Sequence, residues 1–341
     1  MTRWLGSAVL AALLAAAPAG AQEVTLRLHQ FLPLQAAIPS GAIEPWIERV
    51  EAAADGRIEI QHFPAMQLGG APPSLYDQAR DGVVDLVWTV LGYTPGRFPR
   101  SEAFELPFMV TTGEATSRAF HLYAERHAAD EFPGVRPIAL HTHGPGLLHV
   151  RGPGVTRLED MAGLDLRGPT RVVTKLLERL GANAIGMPVP AVPEALSKGV
   201  LDGVAVPWEV TLPLKIAELV DSHPEFAGDR GFYTATFLFG MSQASYDRLP
   251  ADLQAVIDAH AGPDTAARFG RAMDETDRIG RRVARERGNV VHVLDAAETA
   301  RWRAAAQDVV ADWIAEMDAK GFDGAALAAD ARQLVARQRG E

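Results

Sequence analysis

Two distant stretches of the chain repeat the same order of structural signals. Residues 73–85 (PSLYDQARDGVVD) and 193–202 (PEALSKGVLD) each carry a short helical pattern that closes at Gly82 or Gly199, before a strand pattern begins. Trp88 follows the first stretch and Trp208 the second. Either two short turns are alike by chance, or the chain builds two lobes on one α/β plan. In the second case both tryptophans are expected near the mouth between the lobes, since ligands of open parallel sheets bind beyond the strand ends.

Strand and helix patterns also alternate along the rest of the chain. The predicted strands cover residues 24–31, 57–63, 83–90, 136–141, 147–151, 164–167 and 289–294. The predicted helices cover residues 43–54, 74–80, 114–129 and 170–181, and the chain beyond residue 250 is mainly helical. Alternation of this kind predicts an α/β fold with mostly parallel sheets and helices packed on their faces.

The N-terminus has the pattern of a secretory signal peptide over residues 1–21. Arg3 precedes a short apolar run at residues 8–17, and the small residues Ala19 and Ala21 lie where a signal peptidase cleaves. The run is too short to span a bilayer, which needs about 20 apolar residues. A buried N-terminal helix is the alternative. We therefore expect an exported, periplasmic protein without stable membrane insertion.

Charge and cysteine content exclude several classes of function. The chain has 33 Lys and Arg against 43 Asp and Glu, a formal net charge of −10, and no basic block. This charge argues against binding nucleic acid, whose phosphates attract basic surfaces. The chain has no cysteine, so it has no disulfide, no thiolate metal site and no cysteine nucleophile.

No complete catalytic motif is present, and we expect neither enzyme activity nor a cofactor. Ser242, in the run GMSQA at residues 240–244, lacks the final glycine of the hydrolase nucleophile elbow. The chain has no glycine-rich phosphate loop and no His-Glu-x-x-His motif. An exported α/β hydrolase that uses Ser242 remains an alternative hypothesis.

Three histidines suggest a second alternative, an exported zinc-binding protein. His141 and His143 are two residues apart on a predicted strand and thus share a face, and His149 follows closely. Three neutral imidazoles can hold zinc. Ordinary hydrogen-bonded histidines near a cleft are the favoured interpretation, so we expect no metal.

Arg167 is the strongest candidate for a binding residue. It ends the predicted strand at residues 164–167 and is followed by Gly168, Pro169 and a helix that begins at Thr170. Backbone N–H groups at a helix N-terminus favour an anion, and a guanidinium matches a carboxylate with two parallel hydrogen bonds. The alternative is a surface arginine paired with a neighbouring acid.

The segment at residues 160–167 (DMAGLDLR) resembles the D-x-x-G-L-K-I-R segment of the DctP-like substrate-binding proteins of tripartite ATP-independent periplasmic (TRAP) transporters. Further similar segments occur in family order at residues 66–70 (MQLGG), 82–85 (GVVD), 105–108 (ELPF), 195–203 (ALSKGVLDG) and 245–250 (SYDRLP). Each is weak alone, but together they extend over most of the chain.

This resemblance implies a two-lobed, periplasmic-binding-protein-like α/β fold with crossing strands and long C-terminal helices. Lobe 1 is expected to contain residues 22–144 and about 233–272, and lobe 2 residues 145–232 and about 273–341 with the C-terminal helices. The resemblance also implies that Arg167 binds the carboxylate of a small organic acid between the lobes. Delivery of that acid to the membrane permease subunits of a TRAP transporter follows from the same resemblance.

The chain also departs from the sialic-acid-binding members of that family. It has no second arginine at residues 144–149, Val206 replaces an asparagine, Val90 lies near an expected acid, and Val189 replaces an aromatic residue. Fewer polar anchors than in those members remain, which predicts a monocarboxylate ligand with an apolar, aromatic or 2-oxo body. The other pocket candidates are Trp88, Tyr93, Trp208, Gln67, His143, His149 and Glu209. The aromatic candidates can also be core residues, and Glu209 can accept from a ligand N–H or cap the helix that follows.

Overall fold

The computed structural model describes residues 22–339 of the 341-residue chain. The predicted signal peptide, residues 1–21, therefore lies outside the described residues. The strands are β1 (Val24–Gln30), β2 (Ile58–Phe63), β3 (Leu86–Val90), β4 (Val135–Thr142), β5 (Leu147–Val150), β6 (Asp165–Gly168), β7 (Asn183–Gly186), β8 (Gly203–Val206), β9 (Ser222–Phe226), β10 (Thr236–Ser242) and β11 (Val290–Leu294).

The helices are α1 (Glu44–Ala53), α2 (Leu75–Arg80), α3 (Gly113–His127), α4 (Arg171–Arg179), α5 (Val192–Ser197), α6 (Trp208–Thr211), α7 (Gln243–Asp247), α8 (Ala251–Ala259), α9 (Pro263–Glu286), α10 (Ala296–Ala305), α11 (Gln307–Ala319) and α12 (Gly324–Arg339). Within residues 22–339, no helix is both long enough and apolar enough to cross a membrane.

Lobe 1 is built on a five-stranded sheet in the order β2-β1-β3-β10-β4. β1 runs parallel to β2 and β3, and its connections to them carry α1 and α2. β10 returns from far along the chain and is antiparallel to β3 and β4. Trp46 of α1 and Phe239 of β10 pack edge to face at 4.8 Å, so the late strand completes a core that the early elements begin.

Lobe 2 is built on a six-stranded sheet in the order β11-β9-β5-β8-β6-β7. β6 is parallel to β7 and β8, whereas β5 is antiparallel to β8 and β9. Helix α4 begins after β6, where the Thr170 hydroxyl accepts from the Val173 N–H as an N-cap. This cap places the carboxyl end of β6, and Arg167 on it, at the edge of the sheet that faces lobe 1.

Two segments cross between the sheets, and their contact determines how the lobes join. Residues 143–146 connect β4 of lobe 1 to β5 of lobe 2, and residues 227–235 connect β9 back to β10. The segments meet where the Gly146 N–H donates to the Tyr233 carbonyl oxygen at 2.9 Å. A β-carbon on Gly146 would lie 2.4 Å from the Tyr233 ring, so this contact requires glycine.

The long helix α9 contacts both lobes with one face. Asp274 accepts from the N–H groups of Gly113 and Glu114 at 2.7 and 2.9 Å, at the start of α3 in lobe 1. Asp277, three residues later, accepts from the Glu209 N–H at 2.7 Å, at the start of α6 in lobe 2. Free N–H groups at helix starts favour carboxylates, so one helix holds the ends of two others.

These observations confirm the predicted α/β class and two-lobed architecture. All strands of the first sheet fall within the segments predicted for lobe 1, and all strands of the second within those predicted for lobe 2. Helix α12, however, packs against α3 of lobe 1, where His127 Nε2 lies 2.8 Å from the Asp330 carboxylate. The domain boundaries themselves remain a prediction.

Candidate functional site

A cavity of about 390 Å³ lies between the two lobes, where β3, β6, β8 and the crossing segments converge. We call it the central cavity. It is lined by Phe31, Leu32, Trp88, Val90, Tyr93, His143, Arg167, Pro169, Val189, Val206, Pro207, Glu209, Val210, Tyr233, Ala235 and Phe237. A mainly apolar lining with a few polar groups is typical of a small-molecule site.

Arg167 is anchored in this wall by the backbone of lobe 2. Its Nε donates to the Met187 carbonyl and its Nη1 to the Ala205 carbonyl, each at 2.9 Å. The side chain is only 2% exposed. Burial lowers the pKa of Arg167, but a guanidinium stays charged at neutral pH. These two bonds use two of the five N–H groups of the guanidinium, and the others remain for the Tyr93 hydroxyl and for a ligand.

The positive charge of Arg167 has no anionic partner in the described part of the chain. No acidic side chain there forms an ion pair with it, and its polar neighbours are the neutral hydroxyls of Tyr93 and Tyr233. A buried charge is costly unless it is paired and hydrogen-bonded. The site therefore favours a bound anion.

Tyr93 connects the lobes at this site. Its hydroxyl accepts from the Val189 N–H of lobe 2 at 3.0 Å and also hydrogen-bonds Arg167. Burial raises the pKa of Tyr93, so the phenol keeps its proton. Because the oxygen already accepts, its O–H is free to donate to a ligand bound on Arg167.

Aromatic rings of lobe 1 form one wall of the central cavity. Trp88 stacks on Phe31 at 4.6 Å and on Phe237 at 5.4 Å, with interplanar angles of 9° and 4°. The Trp88 Nε1–H donates to His141 Nε2 at 2.8 Å, which satisfies the only polar atom of the indole. This wall therefore offers flat apolar surface and no unsatisfied donor.

His143 lines the cavity but has no ring nitrogen left for a ligand. The Ala235 N–H donates to Nε2 at 3.0 Å, and Nδ1 lies 2.6 Å from the Gly144 carbonyl. Burial lowers the pKa of His143 to about 4, so the ring is neutral. Its role here is to hold the crossing segments.

Two other polar side chains of the lining have atoms without a partner. Glu209 Oε2 and the Tyr233 hydroxyl are buried and form no hydrogen bond within the described residues. Burial raises the pKa of Glu209 well above its ordinary value, with a further contribution from Asp277. Burial likewise raises the pKa of Tyr233. Burial thus favours the neutral form of both groups, and both line the central cavity.

Three of the sequence-based pocket candidates lie away from the central cavity. Gln67 is exposed in the turn after β2. His149 donates from Nε2 to the Val206 carbonyl and pairs through Nδ1 with His223 at 2.7 Å. Trp208 donates to Glu225 from the opposite side of α6, because helix geometry directs Glu209 inward and its neighbour outward. The remaining candidates, Arg167, Trp88, Tyr93, Val90, Val189, Val206, Glu209 and His143, line the cavity.

Trp208 faces a second and larger opening of about 1080 Å³, which we call the crossing-strand groove. The groove is lined by Thr111, Thr112, Pro145, Gly146, Leu147, Trp208, Glu225, Phe226, Gly228, Asp229, Arg230, Gly231, Phe232, Asp274, Asp277, Arg278 and Arg281. Glu225 and Arg281 form a two-bond ion pair there, at 2.5 and 2.7 Å.

The geometry gives no support to the zinc or hydrolase alternatives. His141, His143 and His149 are each held by separate partners, and no group of three potential ligands is arranged for a metal within residues 22–339. Ser242 is fully buried, and its hydroxyl contacts no base among the described residues. A nucleophilic serine needs an adjacent base and access to substrate.

Sequence reasoning missed Phe31, Tyr233 and Phe237, which come from the end of β1, a crossing segment and β10. No local motif marks them, since each looks like an ordinary core aromatic. One signal was available: Gly146 lies in the segment that lacks the second arginine, and its missing side chain makes room for the Tyr233 ring.

Comparison with known proteins agrees with this arrangement. A solute-binding protein of a TRAP transporter from Rhodoferax ferrireducens, crystallised with copurified benzoate, is 45% identical, covers 93% of this chain and 99% of its own, and superposes with a TM-score of 0.91. A marine metagenome protein from an unidentified microbe, specific for aromatic acid ligands and complexed with 3-hydroxybenzoate, is 44% identical with the same coverage and TM-score. A third, from Bordetella bronchiseptica with bound mandelate, is 30% identical, covers 92% of this chain and 99% of its own, and has a TM-score of 0.86.

A family model provides the assignment independently. Residues 34–316 match the DctP model, described as "bacterial extracellular solute-binding protein, family 7". The match covers every strand of the two sheets except β1, and every residue lining the central cavity except Phe31 and Leu32. This chain therefore belongs to the DctP family of extracellular solute-binding proteins.

Proposed function

We propose that this protein is the solute receptor of a TRAP transporter and that its central cavity binds an aromatic monocarboxylate. The observation that carries the proposal is the buried charge of Arg167, which no acid of the described chain neutralises. A ligand carboxylate supplies the missing charge and can accept from both Arg167 and the Tyr93 hydroxyl. Because Arg167 is the one cationic side chain in the described lining of the cavity, we expect the ligand to carry one carboxylate.

An aromatic body for this acid is supported by the walls of the cavity. The stacked rings of Phe31, Trp88 and Phe237 form one side, and Val90, Val189 and Val206 occupy positions where sialic-acid-type members are expected to be polar or aromatic. Flat apolar surface favours a planar ring through burial and offset stacking. The relatives bound to benzoate, 3-hydroxybenzoate and mandelate support the same ligand class.

Contacts across the cavity support binding by closure of the lobes. Besides the bond between Tyr93 and Val189, Arg171 at the start of α4 pairs with Glu102 of lobe 1, with Nε 2.5 Å from Oε1. Excluding water strengthens the ion pair between ligand and Arg167. A ligand favours closure by its higher affinity for the closed form. This closed form is the one we propose for delivery to the permease.

Family membership supports a location outside the cytoplasm and a receptor role, since family members are solute-binding proteins. Export to the periplasm through residues 1–21 remains a prediction.

Isothermal titration calorimetry of the chain from residue 22 onward tests the proposal. The panel contains benzoate, phenylacetate, cyclohexanecarboxylate, hexanoate and zinc chloride. We expect the aromatic acids to bind most tightly, and Arg167→Ala to weaken benzoate at least about 100-fold, because a buried charge-assisted pair is lost. Arg281→Ala, in the crossing-strand groove, is the matched control and should bind benzoate like the unmodified protein. Equal affinity of Arg167→Ala, or a preference for hexanoate, would contradict the proposal.

A further inference from the structure

The central cavity contains more hydrogen-bonding groups than an unsubstituted aromatic acid can engage. A ligand carboxylate on Arg167 and Tyr93 leaves Glu209 Oε2 and the Tyr233 hydroxyl unpartnered, although these side chains are only 3% and 0% exposed. Native proteins leave few buried polar atoms unsatisfied, and each such atom calls for an explanation. Here two of them line one ligand cavity.

The position of Glu209 follows from the start of α6. β8 ends at Val206, Pro207 follows, and the helix brings Glu209 and Val210 to the cavity while the Glu209 N–H is held by Asp277 at 2.7 Å. The backbone at Glu209 is therefore fixed, and its carboxyl has no alternative partner in the described chain. Glu209 forms no ion pair with Arg167, so it is not the counterion of that charge.

The protonation state of the Glu209 carboxyl limits the ligand groups with which it can form hydrogen bonds. Burial and the neighbouring Asp277 raise its pKa well above the ordinary value, which favours the neutral acid over the carboxylate. A neutral carboxylic acid donates with its O–H and accepts with its carbonyl oxygen, and the Tyr233 hydroxyl does both as well. The complementary ligand group is one that also donates and accepts, which describes a hydroxyl.

A ligand ammonium fits this pair less well. An ammonium has three donors and favours an ionised partner, whereas the surrounding lining is valine, proline and aromatic rings. A second ligand carboxylate is also disfavoured, because only one cation is present in the lining.

We propose that Glu209 and Tyr233 form a hydroxyl-recognition subsite, so that this receptor prefers hydroxylated aromatic monocarboxylates over their unsubstituted parents. The inference rests on the proposed function, in that Arg167 takes the carboxylate. It assigns Glu209 a role in specificity and leaves affinity for the carboxylate to Arg167. A site built to hydrogen-bond a hydroxyl discriminates strongly against analogues that lack it, because its own buried groups then stay unpaired.

Calorimetry with benzoate, the three hydroxybenzoate isomers, mandelate, phenylacetate and 3-(aminomethyl)benzoate tests this subsite. In the unmodified protein we expect at least one hydroxylated acid to bind about tenfold or more tightly than its parent. Glu209→Leu should remove this preference, measured as the ratio of the affinities for the hydroxylated acid and for benzoate. Glu209→Gln, which still donates and accepts, should keep most of the preference. Tyr233→Phe removes one unpartnered oxygen without changing the ring and should reduce the preference several-fold.

Glu225→Gln provides the matched control, since this acid lies in the crossing-strand groove, and it should leave the preference unchanged. Thermal melting of each variant establishes that it is folded, and Tyr233→Phe keeps the test decisive if Glu209→Leu fails to fold. A preference unaltered in both Glu209→Leu and Tyr233→Phe would overturn the inference, as would tightest binding of 3-(aminomethyl)benzoate that disappears in Glu209→Gln. If benzoate binds through Arg167 but no hydroxyl preference exists, the inference fails and the proposed function stands. If no acid of the series binds, both fail.

Discussion

The central cavity and the crossing-strand groove lie on opposite sides of α6 and the crossing segments. They differ in volume and in how far their polar side chains are already bonded within the protein. The groove is the larger, at about 1080 Å³ against about 390 Å³. Four of the acidic and basic side chains that line it have partners within the protein: Glu225 binds Arg281, and Asp274 and Asp277 accept from helix starts. Within the described part of the chain, the smaller cavity contains a cation without an anionic partner and two polar atoms without hydrogen bonds.

This difference shows that unmet bonding capacity identifies a binding site better than volume does. A polar group that is satisfied within the protein gains little from a ligand, whereas a buried unsatisfied group gains the full hydrogen bond. Glu209 and Trp208 are adjacent residues, but Glu209 lines the central cavity and Trp208 lines the crossing-strand groove. A single residue step along α6, a rotation of about 100°, separates a side chain that is open to a ligand from one that donates to Glu225.

The largest expected effect comes from exchanging arginine for lysine on each side of α6. Arg167→Lys keeps the charge but loses the bonds to the Met187 and Ala205 carbonyls, and a lysine cannot present a planar fork. We expect benzoate affinity to fall by about 100-fold, measured by calorimetry. Arg281→Lys in the groove should change it less than twofold. Similar losses of benzoate affinity in both variants would show that the two openings do not differ in their part in ligand binding.

A second prediction concerns Gly146, in the wall between the two openings. Gly146→Ala places a β-carbon 2.4 Å from the Tyr233 ring, so we expect this ring to shift toward the central cavity that it lines. Overpacking of this kind costs about 1–3 kcal/mol, so we expect a lower unfolding free energy together with weaker ligand binding. Chemical denaturation and calorimetry measure the two effects.

Gly186→Ala is the matched control for this change, because a β-carbon there has no atom closer than 3.9 Å. Stability and affinity close to those of the unmodified protein are expected for the control. Normal ligand binding by Gly146→Ala would mean that Tyr233 does not shape the cavity.

The third prediction separates stability from binding on the groove side. Burial raises the pKa of Asp277 from 3.8 to about 8, with a contribution from Asp274, so the folded protein holds a proton that the unfolded chain releases near pH 4. The free energy of unfolding should therefore decrease as pH rises from about 4 to about 8, by at most about 1.4 kcal/mol per pH unit for one proton.

Asp277→Asn lacks this proton but keeps an oxygen that accepts from the Glu209 N–H. Its stability relative to the unmodified protein should increase with pH across that window and then level off, as measured by urea denaturation at pH 5, 6.5 and 8. Glu209 and Asp274 remain in both proteins, so the difference reports the titration of Asp277 together with its coupling to Glu209. A stability difference that is constant with pH would show that Asp277 is ionised in the folded state.

The smallest expected effects come from a pair of aromatic variants. Tyr93→Phe loses the hydroxyl that accepts from Val189 and contacts Arg167, so benzoate affinity should fall about five- to tenfold, the equivalent of one hydrogen bond. Trp208→Phe, on the groove side, should stay within twofold. A larger loss in Trp208→Phe than in Tyr93→Phe would reverse the assignment of the two sides.

Local patterns predicted the elements well and the site in part. The repeated helix-to-strand unit corresponds to α2 with β3 and to α5 with β8, and the cap at Thr170 is present. The expectation that both tryptophans flank the cavity was met only by Trp88, which lies within β3. Trp208 lies beyond the end of β8, where the start of α6 directs its side chain away from the cavity. The periodicity of the repeated unit carries no information about that change of direction.

The chain itself determined the alternation of elements and an arginine near the carboxyl end of β6, because these depend on spacing and on neighbours along the sequence. The two-lobed plan followed from the resemblance to the family. The tertiary structure alone decided that Arg167 has no acidic partner among residues 22–339, and that Phe31, Tyr233 and Phe237 line the same cavity as Arg167. Whether a buried polar atom is satisfied depends on segments that are far apart in sequence, and only folding brings those segments within the distance of a hydrogen bond.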